Sequence, residues 1–188
     1  MQLSVADKTE LLKIARESID SALNDRSAKR REQVGASLKE HCGAFVTLHL
    51  HGELRGCIGY IEARFPLVET IEEAAPKAAL EDPRFLPLTA EEFQDVEIEI
   101  SVLSPLQEIS NVDEVEVGKH GLVIDGGYTR GLLLPQVATE YGWGREQFLS
   151  QTCRKAGLPT DAWRKKGVTI YSFTSDVFSE AEMFPKGR

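Results

Sequence analysis

Cysteine is scarce in this chain. Only Cys42, Cys57 and Cys153 occur among 188 residues, and none belongs to a CxxC spacing. Three thiols cannot all pair within one chain, so a disulfide framework is excluded and a reducing, cytoplasmic setting is expected. Long hydrophobic runs are missing as well: no apolar stretch approaches a membrane-spanning helix, and the first residues lack a basic-then-apolar signal pattern, so no membrane association is expected. Positive charge is in deficit. With 22 Lys and Arg against 30 Asp and Glu, the net charge is −8, which would repel a phosphate backbone and excludes general nucleic-acid binding. Lys29-Arg30-Arg31 and Arg164-Lys165-Lys166 are short basic runs with acids nearby, and read as solvated faces. The glycines form neither a GxGxxG fingerprint nor a P-loop, so no nucleotide site is implied and no cofactor is expected.

What is present is an ordinary globular composition, 41% hydrophobic and 28% charged, in a chain long enough to bury roughly 70% of its unfolded surface. A single domain over residues 1–188 is expected. Leu11, Leu12, Ala15, Ile19 and Leu23 recur at helical spacing, and Ser4 with Asp7 caps that helix over about Ser4 to Asn24. Polar residues 25–40 read as a connection or a short second helix. A hairpin follows: Ala44 to Leu50 goes out and Leu54 to Tyr60 returns. Pro66 sits where a first helical position would be, and the pattern from Leu67 to Leu80 is helical, with Pro76 expected to kink or divide it. Thr89 and Glu92 form a second capping box. Val96, Ile98, Ile100 and Val102 alternate with Glu97, Glu99 and Ser101, a half-buried strand. A looser acidic stretch over 108–117 leads to a second hairpin, His120 to Asp125 and Tyr128 to Leu134 around a tight Gly126-Gly127 turn. Pro135 opens a helix, the segment from Gly144 to Ala156 forms another that Gly157 caps, and Val168 to Phe173 is the last strand. The fold class is α+β, with mixed or antiparallel sheets and flanking helices. Hairpin, Arg55-Gly56 and a Pro-opened helix recur as hairpin, Arg130-Gly131 and a Pro-opened helix, which suggests an internal duplication.

The chemistry concentrates in Leu54-Arg55-Gly56-Cys57-Ile58-Gly59-Tyr60. Side chains alternate along a strand, so Arg55, Cys57 and Gly59 share one face. A two-residue turn before this strand would put Arg55 and Cys57 on the aliphatic face. A three-residue turn, His51-Gly52-Glu53, groups them with Thr47, His49 and His51. Burying an unpaired guanidinium among aliphatics is costly, which favours the longer turn. A cation or imidazole nearby would lower the thiol pKa, making Cys57 a candidate nucleophile, His49 its candidate base and Arg55 an anion anchor. The competing reading makes Cys57 small core packing. His49 and His51 form an HxH pair without a second ligand cluster, so no metal is expected. Gly56 and Gly59 leave room for a ligand or for another backbone. Asp82-Pro83-Arg84-Phe85 either presents Arg84 toward the same site or simply ends a helix with Phe85 in the core. Cys153, on the apolar side of its helix, is core.

The hexapeptide Leu54 to Gly59 resembles the hallmark of the AMMECR family, whose bacterial and archaeal members are the AmmeMemoRadiSam system protein A group. In order along the chain come further similar pieces: Asp82 to Phe85, the strand ending Val102-Leu103-Ser104-Pro105, Lys119 to Leu122, Gly131 to Ala138, Phe148-Leu149, and Cys153 to Leu158. The resemblance spans about residues 5 to 182. It implies two unequal lobes around a groove with the hexapeptide near it, and a setting beside Memo-like and radical-SAM proteins. It supplies no reaction. Two functions stand open: a cysteine-dependent enzyme, and a non-catalytic module that binds a protein or ligand.

Overall fold

A computed structural model describes residues 3–26 and 34–185; the basic run at Lys29-Arg30-Arg31 lies outside the described residues. The chain forms two compact units, one from Met1–Leu103 with Asp176–Arg188 and one from Ser104–Ser175. The fold is α+β, with two four-stranded sheets.

The first unit opens with helix α1 (Val5–Leu23), started by the expected capping box: Ser4 accepts from the Asp7 N–H and Asp7 accepts from the Ser4 N–H. The acceptor pair satisfies two amides that a helix start otherwise leaves bare. A short 3₁₀ turn at Ala36–Lys39 leads into strand β1 (Ala44–Leu50) and strand β2 (Glu53–Tyr60). Helix α2 (Leu67–Leu80) follows with Pro66 as its N-cap rather than its first residue, then the single-turn helix α3 (Ala90–Phe93), capped by Thr89 and Glu92 as expected, and strand β3 (Val96–Leu103). Pro76 does not divide α2. It lies on the partly exposed side with Glu72, Glu73 and Lys77, where the carbonyl it leaves unpaired can turn to water while small alanines hold the opposite face against the core.

Strands run β2-β1-β3-β8 across the sheet. Strand β8 (Ser175–Ser179) is an addition to the sequence reading, which ended at residue 173; the short helix α6 (Glu180–Met183) follows it. On one face of the sheet Val46, Leu48, Ile98 and Ile100 are wholly buried beneath α1 and α2, together with Leu11, Leu12, Ile14, Ile19 and Ile71. Burying a side chain of this kind stabilises by about 1.5–3 kcal/mol.

At two places the outward backbone of this sheet meets an ion pair instead of a strand. On β2, the Cys57 N–H donates to Asp82 Oδ2 (2.8 Å) and the Cys57 carbonyl accepts from Arg84 Nη2 (3.4 Å), while Arg84 and Asp82 are bonded to each other. On β3, the Ile98 N–H donates to Glu180 Oε2 (3.0 Å) and the Val96 carbonyl accepts from Arg16 Nη2 (2.6 Å), while Arg16 and Glu180 are paired. Each pair offers one acceptor and one donor, as a neighbouring strand would.

The second unit is an all-antiparallel sheet in the order β4-β7-β5-β6, built from β4 (Gln107–Glu108), β5 (Gly121–Asp125), β6 (Arg130–Leu133) and β7 (Thr169–Phe173). Residues 126–129 form a four-residue connection rather than a two-residue turn, with the Gly126 N–H donating to the Thr129 carbonyl and the Gly127 N–H to Asp125 Oδ1. Helix α4 (Pro135–Glu140) starts at its proline, and helix α5 (Arg145–Lys155) ends before Gly157 at φ 73°. Phe148, Leu149 and Cys153 are wholly buried against Leu122 and Ile124, so Cys153 is core as expected.

Candidate functional site

The hairpin settles which face Cys57 occupies. Its turn has two residues, His51 at φ 54° and Gly52 at φ 85°, the left-handed pair of a type I′ turn. Taken alone, that turn would send Cys57 to the helix side. A β-bulge intervenes: Leu54 pairs with His49, Gly56 with Leu48, and Arg55 is the extra residue between them. One inserted residue reverses the alternation beyond it. Cys57 therefore pairs with Thr47, on the expected face, by a route other than the expected three-residue turn. His51 lies in the turn and not on the strand, so the HxH pair does not form along one strand face.

Strand pairing sets out the face as three rows across β2, β1 and β3: Leu54, His49 and Glu97; Cys57, Thr47 and Glu99; Gly59, Phe45 and Ser101. The helices cover the opposite side. Thr47 is buried and its hydroxyl donates to Cys57 Sγ at 3.3 Å. His49 Nε2 and Ser101 Oγ are both buried without a hydrogen-bond partner. His49 stands diagonally across from Cys57, one row along. Burial pushes the Cys57 thiol up; the Thr47 hydroxyl and the Arg84 cation oppose this, and the Asp82 and Glu99 carboxylates add to it. The thiol is thus held in its neutral form at pH 7.

Arg55 and Arg84 both already carry anions. Arg55 Nε and Nη2 grip the two oxygens of Glu92 at 3.1 and 3.0 Å, and Arg55 also stands 5.9 Å from the Phe85 ring. Arg84 Nε and Nη2 grip Asp82 at 2.9 and 2.6 Å. Hydrogen bonds from Arg84, helped by the Cys57 and Arg84 N–H groups and opposed by burial, bring the Asp82 carboxyl down to about 2. Arg84 therefore does reach the hexapeptide, through Asp82 and the Cys57 carbonyl. The space beside the two glycines is taken by backbone: a Cβ on Gly56 would collide with the Ala78 carbonyl of α2, and one on Gly59 with Ala44 and Phe45 of β1.

Sequence reasoning placed Thr47 on the face of Cys57, as the strand pairing has it, but missed Asp82 and Glu92 as neighbours of the site. Glu92 had a visible local role in its capping box, which hid its second role as the partner of Arg55. Asp82 had one signal, a carboxylate next to Pro-Arg at a helix end. Among the described residues no group of three or more His, Cys, Asp and Glu side chains converges as a metal site, and no helix is long and apolar enough to cross a membrane.

Residues 12–178 match the AMMECR1 family model. A protein of Methanocaldococcus jannaschii is 47% identical over 156 residues, which cover 79% of this chain and 77% of that one. A protein of Thermococcus onnurineus is 43% identical over 188 residues, covering 94% and 91%. The crystal structure of an uncharacterized protein from Pyrococcus horikoshii matches with a TM-score of 0.87 at 37% identity, covering 95% of this chain and 93% of that one.

Proposed function

Because the chain belongs to the AMMECR1 family, a domain family without an assigned activity, we propose from its own geometry that it is a binding module. The three-row face around Cys57 is its recognition surface, and Memo-like and radical-SAM proteins are its partners in the cytoplasm. The observation that supports this reading is the state of the charges beside Cys57. Arg55 and Arg84 are each gripped by a carboxylate through two bonds, and burial holds the thiol neutral. A catalytic cysteine needs the reverse, a thiolate favoured by unneutralised positive charge or by an adjacent base.

Immobilised protein is challenged with the Memo-like and radical-SAM proteins. Capture should survive Cys57→Ser and fall with Arg55→Ala or Arg84→Ala, which unseat the loops flanking the face. Capture that depends on Cys57 and not on the arginines would overturn the module.

One observation favours a second reading. His49 Nε2 has no partner and shares a face with the thiol, so a ligand that excluded water could let His49 act as base to Cys57 as nucleophile, with Arg55 as anion anchor once released from Glu92. Alkylation of Cys57 across pH separates the two: the enzyme reading requires rapid reaction at neutral pH.

A further inference from the structure

The first unit contains a cavity of about 520 Å³ at the start of β3; its lining shares Glu97 with the face around Cys57 and includes no residue of the hexapeptide. Its walls include Arg16 of α1, Asp95 and Glu97 around the beginning of β3, and Glu180, Ala181 and Phe184 from the end of the chain. The volume lies within the roughly 300–1,000 Å³ range of small-molecule pockets.

The wall decides the sign of its ligand. Among the described residues its single cation is Arg16, and that guanidinium is fully engaged: it grips Glu180 through Nε and Nη2, donates to the Val96 and Phe93 carbonyls, and stands 4.8 Å from the Phe93 ring. Glu180 is likewise occupied, by Arg16 and by the Ile98 N–H. Among the described residues of this wall, an incoming anion finds no available donor of positive charge. Asp95 and Glu97 are different. Neither carboxylate has an ion-pair or hydrogen-bond partner among the described residues, so each is free to accept from a ligand. The remaining wall is polar but neutral at Gln94, apolar at Val96 and Ala181, and aromatic at Phe184, a residue 41% exposed. A bare metal ion does not suit this wall, because no three ligating side chains converge among the described residues. Negative charge, an aromatic ring and hydrocarbon surface together suit a cation with a carbon body.

We propose that this cavity binds a small organic cation, an amine or guanidinium carried on a short hydrocarbon chain. The unpaired carboxylates hold the charged end, Phe184 offers its ring face, and the Arg16–Glu180 pair forms a rigid, internally neutralised floor.

The test uses the intact chain and agmatine, which carries both a guanidinium and an amine. Binding is followed by titration calorimetry in buffer of physiological ionic strength, with 1,4-butanediol as an uncharged probe of similar length. Saturable, one-to-one binding of agmatine without binding of the diol is the expected result. Asp95→Asn should weaken it at least tenfold, and Ala181→Phe, which fills the cavity, should abolish it. Both positions are exposed, so neither variant threatens the core. Glu140→Gln, on the second unit, removes a surface charge of the same sign and should leave affinity within twofold. Failure of wild type to saturate would overturn the proposal, as would equal weakening by Glu140→Gln, which would mark diffuse attraction to a chain of net charge −8. Neither Asp95 nor Ala181 belongs to the face around Cys57, so this outcome is independent of the partner-capture experiment.

Discussion

At the scale of single residues, the chemistry of Cys57 is set by what surrounds it rather than by its motif. Its thiol is pushed up by burial more than Thr47 and Arg84 pull it down, so iodoacetamide should modify Cys57 at pH 7 about tenfold more slowly than a free thiol, with the rate climbing only above the ordinary cysteine range. Peptide mapping of the alkylated site measures this, and a rate at or above the free thiol's would contradict the assignment of a neutral cysteine. Gly56 makes a sharper structural prediction. Gly56→Ala places a methyl group against the Ala78 carbonyl, and neither backbone can withdraw without disturbing the packing of α2 on β2. A loss of about 2–4 kcal/mol is expected in a urea titration. The close approach of strand and helix was half legible in advance: a glycine in a strand signals that something comes near, but not whether it is ligand or chain. Gly131 shows the same local solution in the second unit, with its missing Cβ facing the backbone at Ala156.

At the scale of elements, periodicity located α1, α2, β1, β2, β3 and α5 closely, because each has a one-sided apolar pattern that only one secondary structure can bury. What escaped was register. A bulge leaves no mark on hydrophobic alternation when its extra residue is an arginine that can snorkel to a carboxylate, so the identity of the turn and the face of Cys57 could not both be read from the chain. Strand β8 escaped for a related reason. Ser175-Asp176-Val177-Phe178-Ser179 carries little apolar periodicity and holds its place partly through Lys8–Asp176 and Arg16–Glu180, long-range pairs invisible in local sequence. The Asp82–Arg84 pair along β2 predicts a pH dependence. The carboxyl of Asp82 titrates near 2 in the folded chain, below its ordinary 3.8, so its contribution is complete above about pH 4 and is lost as pH falls through about 2. Discounted because Arg84 is half exposed, that contribution is about 1–2 kcal/mol. Asp82→Asn should show this deficit in chemical denaturation at pH 7 and converge on wild type near pH 2.

At the scale of the whole molecule, the first unit is interrupted by the second. The chain leaves at Leu103 and re-enters at Asp176, and the two crossings lie side by side, the Ser104 N–H donating to the Thr174 carbonyl (2.8 Å) and the Thr174 N–H to Ser104 Oγ (2.9 Å). Replacing residues 105–173 with a short Gly/Ser linker should therefore leave the first unit folded, with a cooperative thermal transition and the helix signal of α1 and α2 in circular dichroism; loss of both would show that its core depends on the excised unit. The adjacency also orders events in time. Bringing β8 to β3 across an unstructured excursion of about 70 residues costs on the order of 4 kcal/mol of chain entropy. Once the second unit has formed, that closure has already been made, and its two ends emerge next to each other. Docking of β8 on the first sheet is then expected to follow the folding of the inserted unit, so slowing that unit should delay completion of a sheet to which it contributes almost no strand.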